Sequence, residues 1–276
     1  MHIDNFFALS NSSVNEADYV VFGIPYDATQ SFKTGSRFAP NAIREASWNL
    51  ESYSLYFDCD LDFVRVADGG NVNCDGNFEE ISERVSKFLE EVNGIPIAIG
   101  GEHTISYMVA RNLEDFVYLV FDAHFDLRDS FDSNPFNHAC TTRRILELAD
   151  DVIIVGVRSG TKEEREFAES VGLEIHYSWD LLDYGFDDVL ESLEGRDRIY
   201  LSLDMDVFDP SFAPGVSTPE PFGISPLDFL RVLEEISDRV IAFDVVEVIP
   251  DEMKITQTLA AKLIFEFIAS NASPRS

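Results

Sequence analysis

Three short segments of this 276-residue chain concentrate imidazoles and carboxylates: Gly100-Gly101-Glu102-His103-Thr104, Asp122-Ala123-His124-Phe125-Asp126 and Asp204-Met205-Asp206-Val207-Phe208-Asp209-Pro210. The chain has five histidines in all, His2, His103, His124, His138 and His176, and two of them fall inside these segments. In extended backbone residues i, i+2 and i+4 point to one side, so Asp122, His124 and Asp126 are expected to converge, as are Asp204 and Asp206. Four carboxylates packed together repel one another, and some must take up protons unless cations neutralise them. Two divalent ions would balance the four aspartates, and six side chains are too many for a single tetrahedral site. Oxygen-rich ligands with two imidazoles and no thiolate favour a hard ion such as Mn²⁺, with Zn²⁺, Fe²⁺ and Co²⁺ as alternatives. Each segment alone has a plainer reading: a polar loop for the first aspartate cluster, a turn cap for Asp204 and Asp206, a tight turn for the Gly-Gly pair.

Each of the three segments directly follows a short apolar run. Such runs, rich in β-branched or aromatic residues, recur at 19–23, 63–66, 95–99, 117–121, 152–157, 173–176, 199–203 and 239–245, and read as about eight strands. Helical periodicity lies between most of them. Ile81, Val85, Phe88, Leu89 and Val92 fall on one face of a helix over 79–92, and Leu259, Leu263, Phe267 and Ile268 line one side of another over 256–269. Ser225-Pro226-Leu227-Asp228 opens a third, near 226–237, with a cap residue, Pro at the first helical position and an acid in the first turn. Alternating strands and helices predict a parallel sheet covered on both faces, in which ligands sit at the carboxyl ends of the strands. No repeat or linker interrupts the pattern, so residues 1–276 are expected to form a single α/β domain, with a frayed tail over 271–276.

Composition narrows the partners. Lys and Arg number 20 against 51 Asp and Glu, a formal net charge of −31, which disfavours nucleic acid and anionic membranes as partners. That acidity is foremost a solubilising surface, with recruitment of a cationic substrate as the second reading. No run of about 18 apolar residues offers a membrane span, and the start Met-His-Ile-Asp-Asn-Phe-Phe lacks the features of a signal peptide. Cys59, Cys74 and Cys140 are odd in number with no C-x-x-C spacing, which suggests reduced thiols and a cytoplasmic protein.

The three ligand-rich segments resemble the signatures of the ureohydrolase family, the arginases and agmatinases. The likeness extends to Gly23-Ile24-Pro25-Tyr26-Asp27, Gly35-Ser36-Arg37-Phe38-Ala39-Pro40 with Ile43-Arg44, and Asp68-Gly69-Gly70-Asn71, where Asn71 replaces a commoner acid. Ala213-Pro214-Gly215-Val216-Ser217-Thr218-Pro219-Glu220 and Asp244-Val245-Val246-Glu247-Val248-Ile249-Pro250 complete the series. This resemblance implies a three-layer α/β/α fold, two Mn²⁺ ions per chain, hydrolysis of a guanidinium to urea and an amine, and a trimeric or hexameric homo-oligomer. It implies one ion on His103, Asp122, Asp126 and Asp204 and the other on His124, Asp122, Asp204 and Asp206, with Asp122 and Asp204 bridging. The ion pair would activate a water, which Asp126 would help to orient.

His138, in Asn137-His138-Ala139-Cys140, reads alone as a surface or capping histidine; the resemblance makes it the proton shuttle to the leaving amine. Glu247 reads alone as a salt-bridge partner, whereas the resemblance makes it the guanidinium clamp, since a carboxylate pairs bidentately with that planar cation. Glu102 and Glu220 are expected to support the site and Cys140 to be a buried apolar residue. Arginases carry an Asn two residues past the last acid of D-x-H-x-D. Arg128 stands there instead, and together with Gly-Gly-Glu-His it looks closer to archaeal-type agmatinases. Agmatine is therefore the expected substrate, ahead of aminopropylagmatine, guanidinobutyrate and arginine; acylated polyamines, cleaved by an amidohydrolase, and a non-catalytic scaffold are the readings from other classes.

Overall fold

The computed structural model describes residues 6–273. Eight strands form its main sheet: β1 (Tyr19–Ile24), β2 (Val66–Asn71), β3 (Ile95–Gly100), β4 (Val117–Phe121), β5 (Asp151–Val157), β6 (Glu174–Tyr177), β7 (Ile199–Asp204) and β8 (Val240–Val246). Their order across the sheet is β2-β1-β3-β8-β7-β4-β5-β6, and every neighbouring pair runs parallel. The four central strands, β3, β8, β7 and β4, are thus brought side by side from distant parts of the chain.

Alternation along each strand builds two cores. One face of the sheet presents Val21, Ile97, Leu119, Ile153, Leu201 and Phe243 to the helices Ala39–Ser47, Pro226–Ile236 and Ile255–Ala272. The other presents Phe22, Ala98, Tyr118, Ile154, Tyr200 and Ala242 to Phe78–Leu89, Thr104–Ala110 and Lys162–Val171. Three layers, α/β/α, result. Each fully buried Leu, Ile or Phe contributes roughly 1.5–3 kcal/mol, and a strand buried on both faces has no polar side to show.

Two expectations need correction. The apolar run 63–66 is not the second strand: Leu61–Phe63 is a 3-10 turn capped by Asp60, and the strand runs Val66–Asn71, through the Gly69-Gly70 pair. Gly69 is there for a close approach, because a Cβ would lie 2.4 Å from a ring carbon of Phe88. The helix expected over 256–269 spans Ile255–Ala272 and has no polar face: Thr256, Gln257, Glu266 and Ser270 are buried along with its apolar residues. It is covered on the side away from the sheet by a short hairpin, Tyr53–Ser54 with Cys59–Asp60, whose Ser54 hydroxyl donates to Glu266 at 2.5 Å. Nor does the tail fray from 271, since the Tyr19 hydroxyl donates to the side chain of Asn271 at 2.5 Å; residues 274–276, and His2 at the other end, lie outside the described residues.

Candidate functional site

The carboxyl ends of the four central strands carry the cluster. His103 follows β3, Asp122, His124 and Asp126 follow β4, Asp204 ends β7 with Asp206 just beyond, and Glu247 follows β8. Convergence is as expected, but the extended geometry is not. Asp122 turns the chain by accepting the His124 N–H at 2.6 Å, Asp204 accepts the Asp206 N–H at 2.9 Å, and Asp126 takes a left-handed φ of 51°. Short aspartate side chains that bond the backbone two residues on make such turns locally favourable. Glu247 is also left-handed, at φ 63°. Such conformations cost of order 1 kcal/mol or more and gather at functional sites.

Gly101 lets the β3 turn close. A Cβ there would sit 1.7 Å from the Tyr26 carbonyl oxygen, which instead accepts the Glu102 N–H at 2.7 Å.

His103 Nδ1 lies 3.1 Å from Asp122 Oδ2, 3.0 Å from Asp126 Oδ2 and 3.4 Å from Asp204 Oδ2. His124 Nδ1 lies 3.4 Å from Asp122 Oδ1 and 3.1 Å from Asp206 Oδ2. Two groups able to hold a cation follow, His103 with Asp122 and Asp204, and Asp122 with His124 and Asp206; Asp122 belongs to both. His103 Nδ1 and Asp122 Oδ2 are buried without a hydrogen-bond partner, as ligand atoms facing a common cation would be. The donor set therefore fits two divalent ions.

Charge balance points the same way. Burial raises Asp126 to about 7, helped by the charge of Asp122, and burial with Asp206 and Asp122 raises Asp204 well above its ordinary value. Against burial, the neighbouring His103 and His124 imidazoles hold Asp122 below the usual carboxylate range. Burial opposes a charge on His124 too, yet Asp206 and Asp122 raise it well above an ordinary imidazole. Cations held among these carboxylates would offset that cost and keep them ionised.

Surrounding groups hold these ligands in place. His103 Nε2 faces the Tyr118 hydroxyl at 3.1 Å and Ser202 Oγ at 3.4 Å, and Ser202 in turn donates to buried Asp244 at 2.7 Å. With its proton on Nε2, His103 presents a lone pair at Nδ1 to the carboxylates. Asp206 accepts the Ala123 N–H at 3.1 Å and the Thr218 hydroxyl at 3.2 Å. Arg158, just past β5, ties the loops together by donating to the carbonyls of Asp206 at 2.6 Å and Glu220 at 2.8 Å, while its own N–H donates to the Ala123 carbonyl at 2.9 Å.

A pocket of about 280 Å³ opens over the cluster, lined among others by His103, His124, Asp126, His138, Asp204 and Glu247. Glu247 accepts the His103 N–H at 2.7 Å on Oε1 and the Gln30 amide at 2.9 Å on Oε2, and burial, with the Glu102 charge second, pushes it up to about 8. His138 Nε2 faces Ser31 Oγ at 3.3 Å; burial lowers this ring to about 4, so it is neutral at neutral pH. Glu102 does not face the pocket. It is buried beneath, where burial raises it to about 7 against bonds from Thr29 and Thr104. Glu220 Oε1 approaches His124 Nε2 at 3.8 Å. Cys140 is fully buried, and burial drives its thiol up to about 11, the behaviour of a small apolar residue. The motif residues Arg44 and Asp68 pair with each other at 2.7 Å beneath the sheet edge and take no part in the site.

Residue spacing did not single out Thr29, Gln30, Ser31, Arg158, Tyr118 or Ser202. Thr29 to Ser31 follow β1 at the same edge of the sheet, so the strand-end rule was the available signal.

Central parallel strands, ligand-bearing ends and paired cation cradles define the class, an α/β/α enzyme built around divalent metal ions. The arginase family model matches residues 17–269, and the chain belongs to that family. It is 41% identical to an agmatinase of Pyrococcus horikoshii, over 96% of this chain and 95% of that protein. It is 39% identical to an N(1)-aminopropylagmatine ureohydrolase of Thermococcus kodakarensis, over 93% of this chain and 92% of that one. Among solved structures, the agmatine ureohydrolase of Thermoplasma volcanium superposes with a TM-score of 0.92 at 38% identity, covering 99% of this chain and 96% of the other. No helix among the described residues is long and apolar enough to cross a membrane.

Proposed function

We propose that residues 1–276 form one catalytic domain that hydrolyses agmatine to putrescine and urea with two divalent ions, Mn²⁺ by the hardness of the ligands. The observation that carries this reading is the shared pocket: His103, His124, Asp126, Asp204 and Asp206 of the cluster, the buried carboxylate of Glu247 and the neutral His138 all line one cavity. His103, Asp122, Asp126 and Asp204 would hold one ion and His124, Asp122, Asp204 and Asp206 the other. Bound there, two such ions supply charge that acidifies water and stabilises the developing negative charge.

The chain's own groups do the rest. Each Glu247 oxygen accepts one protein donor and keeps lone pairs toward the pocket, so the carboxylate can receive two N–H groups of a planar guanidinium. That cation also stabilises the ionised form of Glu247. His138, neutral at rest, is placed to take a proton from the water side of the pocket and return it to the departing amine. Attack of a water oxygen at the guanidinium carbon and cleavage of the bond to the substituted nitrogen release that nitrogen as the protonated amine, which takes up both water protons, while the carbon, its two remaining nitrogens and the water oxygen leave as urea.

Agmatine is favoured over arginine because Arg128 is engaged. Its guanidinium lies 3.6 Å from Glu164 and 4.6 Å from the Phe131 ring centre. An arginine carboxylate would have to compete with Glu164 for it, in a mouth otherwise short of cations. N(1)-aminopropylagmatine is the second reading, favoured by the 39% identity to a ureohydrolase of that name. Incubating Mn²⁺-loaded protein with agmatine, aminopropylagmatine, guanidinobutyrate and arginine, and scoring urea, separates these readings. Acetate release from an acylated polyamine would turn the assignment to an amidohydrolase.

The proposal extends to a cytoplasmic homo-oligomer, trimeric or hexameric. Three cysteines left as thiols fit a reducing compartment. Exposed apolar side chains such as Phe32, Leu55 and Phe63 fit a chain that associates, which light scattering would test.

A further inference from the structure

His138 is usable in the proposed reaction only if the correct ring nitrogen carries the proton, and a set of hydrogen bonds outside the pocket bears on which one does. Glu102 is fully buried and receives three donors. The Thr29 N–H reaches its Oε2 at 2.7 Å, while the hydroxyls of Thr29 and Thr104 reach its Oε1 at 2.5 and 2.8 Å. A hydroxyl has one hydrogen and two lone pairs. With Glu102 ionised, the form that three donors converging on it favour, the Thr29 hydrogen is committed to it and the Thr29 oxygen can only accept elsewhere. Its two remaining neighbours are the His138 backbone N–H at 3.0 Å and His138 Nδ1 at 3.2 Å. The first is necessarily a donor, and the second must be one as well.

We propose that Glu102 and Thr29 are positioning residues that fix His138 as its Nδ1–H tautomer, leaving Nε2 as the lone pair beside Ser31 in the pocket. This rests on the reading of His138 as the proton carrier. Nε2 is then the atom that gains a proton and hands it to the departing amine, while Nδ1–H remains on Thr29 throughout. No proton leaves through Thr29 or Glu102, and the ring returns to its starting form.

In Glu102→Gln the Thr29 N–H still needs an acceptor, so the amide oxygen must occupy the Oε2 place and the NH₂ the Oε1 place. That NH₂ now donates to the Thr29 hydroxyl oxygen. The Thr29 hydrogen is displaced, and His138 Nδ1 is the acceptor left to it. Glu102→Gln therefore inverts the tautomer, putting the proton on Nε2 and closing the lone pair to the pocket. Thr29→Val removes the hydroxyl and with it the preference; Thr29→Ser keeps it.

The test is ¹⁵N-histidine labelling of the full chain loaded with diamagnetic Zn²⁺, with the tautomer of His138 read from long-range ¹H–¹⁵N correlations at a pH well above 7, where Glu102 is ionised and His138 neutral, and the resonance assigned by its loss in His138→Asn. Nδ1–H is expected in the unaltered protein and in Thr29→Ser, Nε2–H in Glu102→Gln, and a mixture in Thr29→Val. With Mn²⁺ and agmatine, kcat in Glu102→Gln and Thr29→Val should fall by about 10²-fold, at the lower end of the contribution of a positioned acid or base, with metal content and KM near those of the parent. Nε2–H in the unaltered protein, or an unchanged tautomer in Glu102→Gln, overturns the inference. Should Glu102→Gln fail to fold, Thr29→Val decides: retention of the single Nδ1–H form there overturns it equally. The tautomer is read without substrate, so failure to make urea would remove the proposed function while leaving the tautomer measurement to be judged by itself.

Discussion

Ligands and proton carriers respond to different measurements, and single residues separate them. His138 touches no other member of the cation cluster through its ring; its bonds go to Thr29 and Ser31. His138→Asn should therefore keep two ions per chain by elemental analysis while kcat falls by about 10²–10⁴-fold, and a kcat that holds across the pH range would demote it to a structural residue. Asp122 is the carboxylate whose oxygens the geometry places in both groups of side chains able to hold a cation, whereas Asp204 falls in one. Asp122→Ala should lose both ions at metal concentrations where Asp206→Ala retains one, and equal loss in the two variants would argue against a shared ligand. At this scale the sequence was informative about which imidazoles and carboxylates converge, because imidazoles are rare in the chain and the aspartates cluster two apart. It was uninformative about Thr29, Tyr118 and Ser202, whose side chains are common types and acquire meaning only from what they face.

Strand ends and the turns that follow them set the geometry of the site. Arg158 is the clearest case, because its guanidinium serves the carbonyls of Asp206 and Glu220 at once, which belong to the loop carrying one ligand and the loop flanking another. Arg158→Ala leaves those carbonyls without their donor, and we expect a loss of about 1–3 kcal/mol in denaturant unfolding together with weaker metal retention; unchanged values for both would show the loops to be self-supporting. Gly101→Ala should be worse for the site, since a Cβ would meet the Tyr26 carbonyl carbon at 2.6 Å as well as its oxygen, and normal metal content in that variant would contradict the close approach. Seven of the eight strands were legible from their apolar runs because parallel strands buried on both faces leave continuous hydrophobic sequence. The exception, Val66–Asn71, fills half its length with Asp68, Gly69 and Gly70, where packing against Phe88 decides the conformation over local preference. The helix Ile255–Ala272 hid its face for the opposite reason: it is buried along most of its length, polar residues included, so no apolar stripe stands out.

For the whole molecule, a formal charge of −31 on 276 residues means that self-repulsion opposes folding. Screening it with KCl, from a Debye length of about 30 Å near 0.01 M to about 3 Å near 1 M, should raise the Tm of the metal-loaded protein, and a Tm that falls with salt would show that attractive ion pairs outweigh the repulsion. The layer order and the family were readable in the sequence because the ligand segments punctuate the strands. Sheet order was not, since the adjacency of β3, β8, β7 and β4 depends on crossovers that leave no local mark, and it is this adjacency that gathers His103, Asp126, Asp204 and Glu247 over one pocket. The most direct test of the account is the product balance of the Mn²⁺-reconstituted protein with agmatine. Urea and putrescine released in equal amounts, abolished by a chelator and restored by metal, is the predicted result; a fully metal-loaded, folded protein that releases no urea from agmatine or any other guanidine would contradict it.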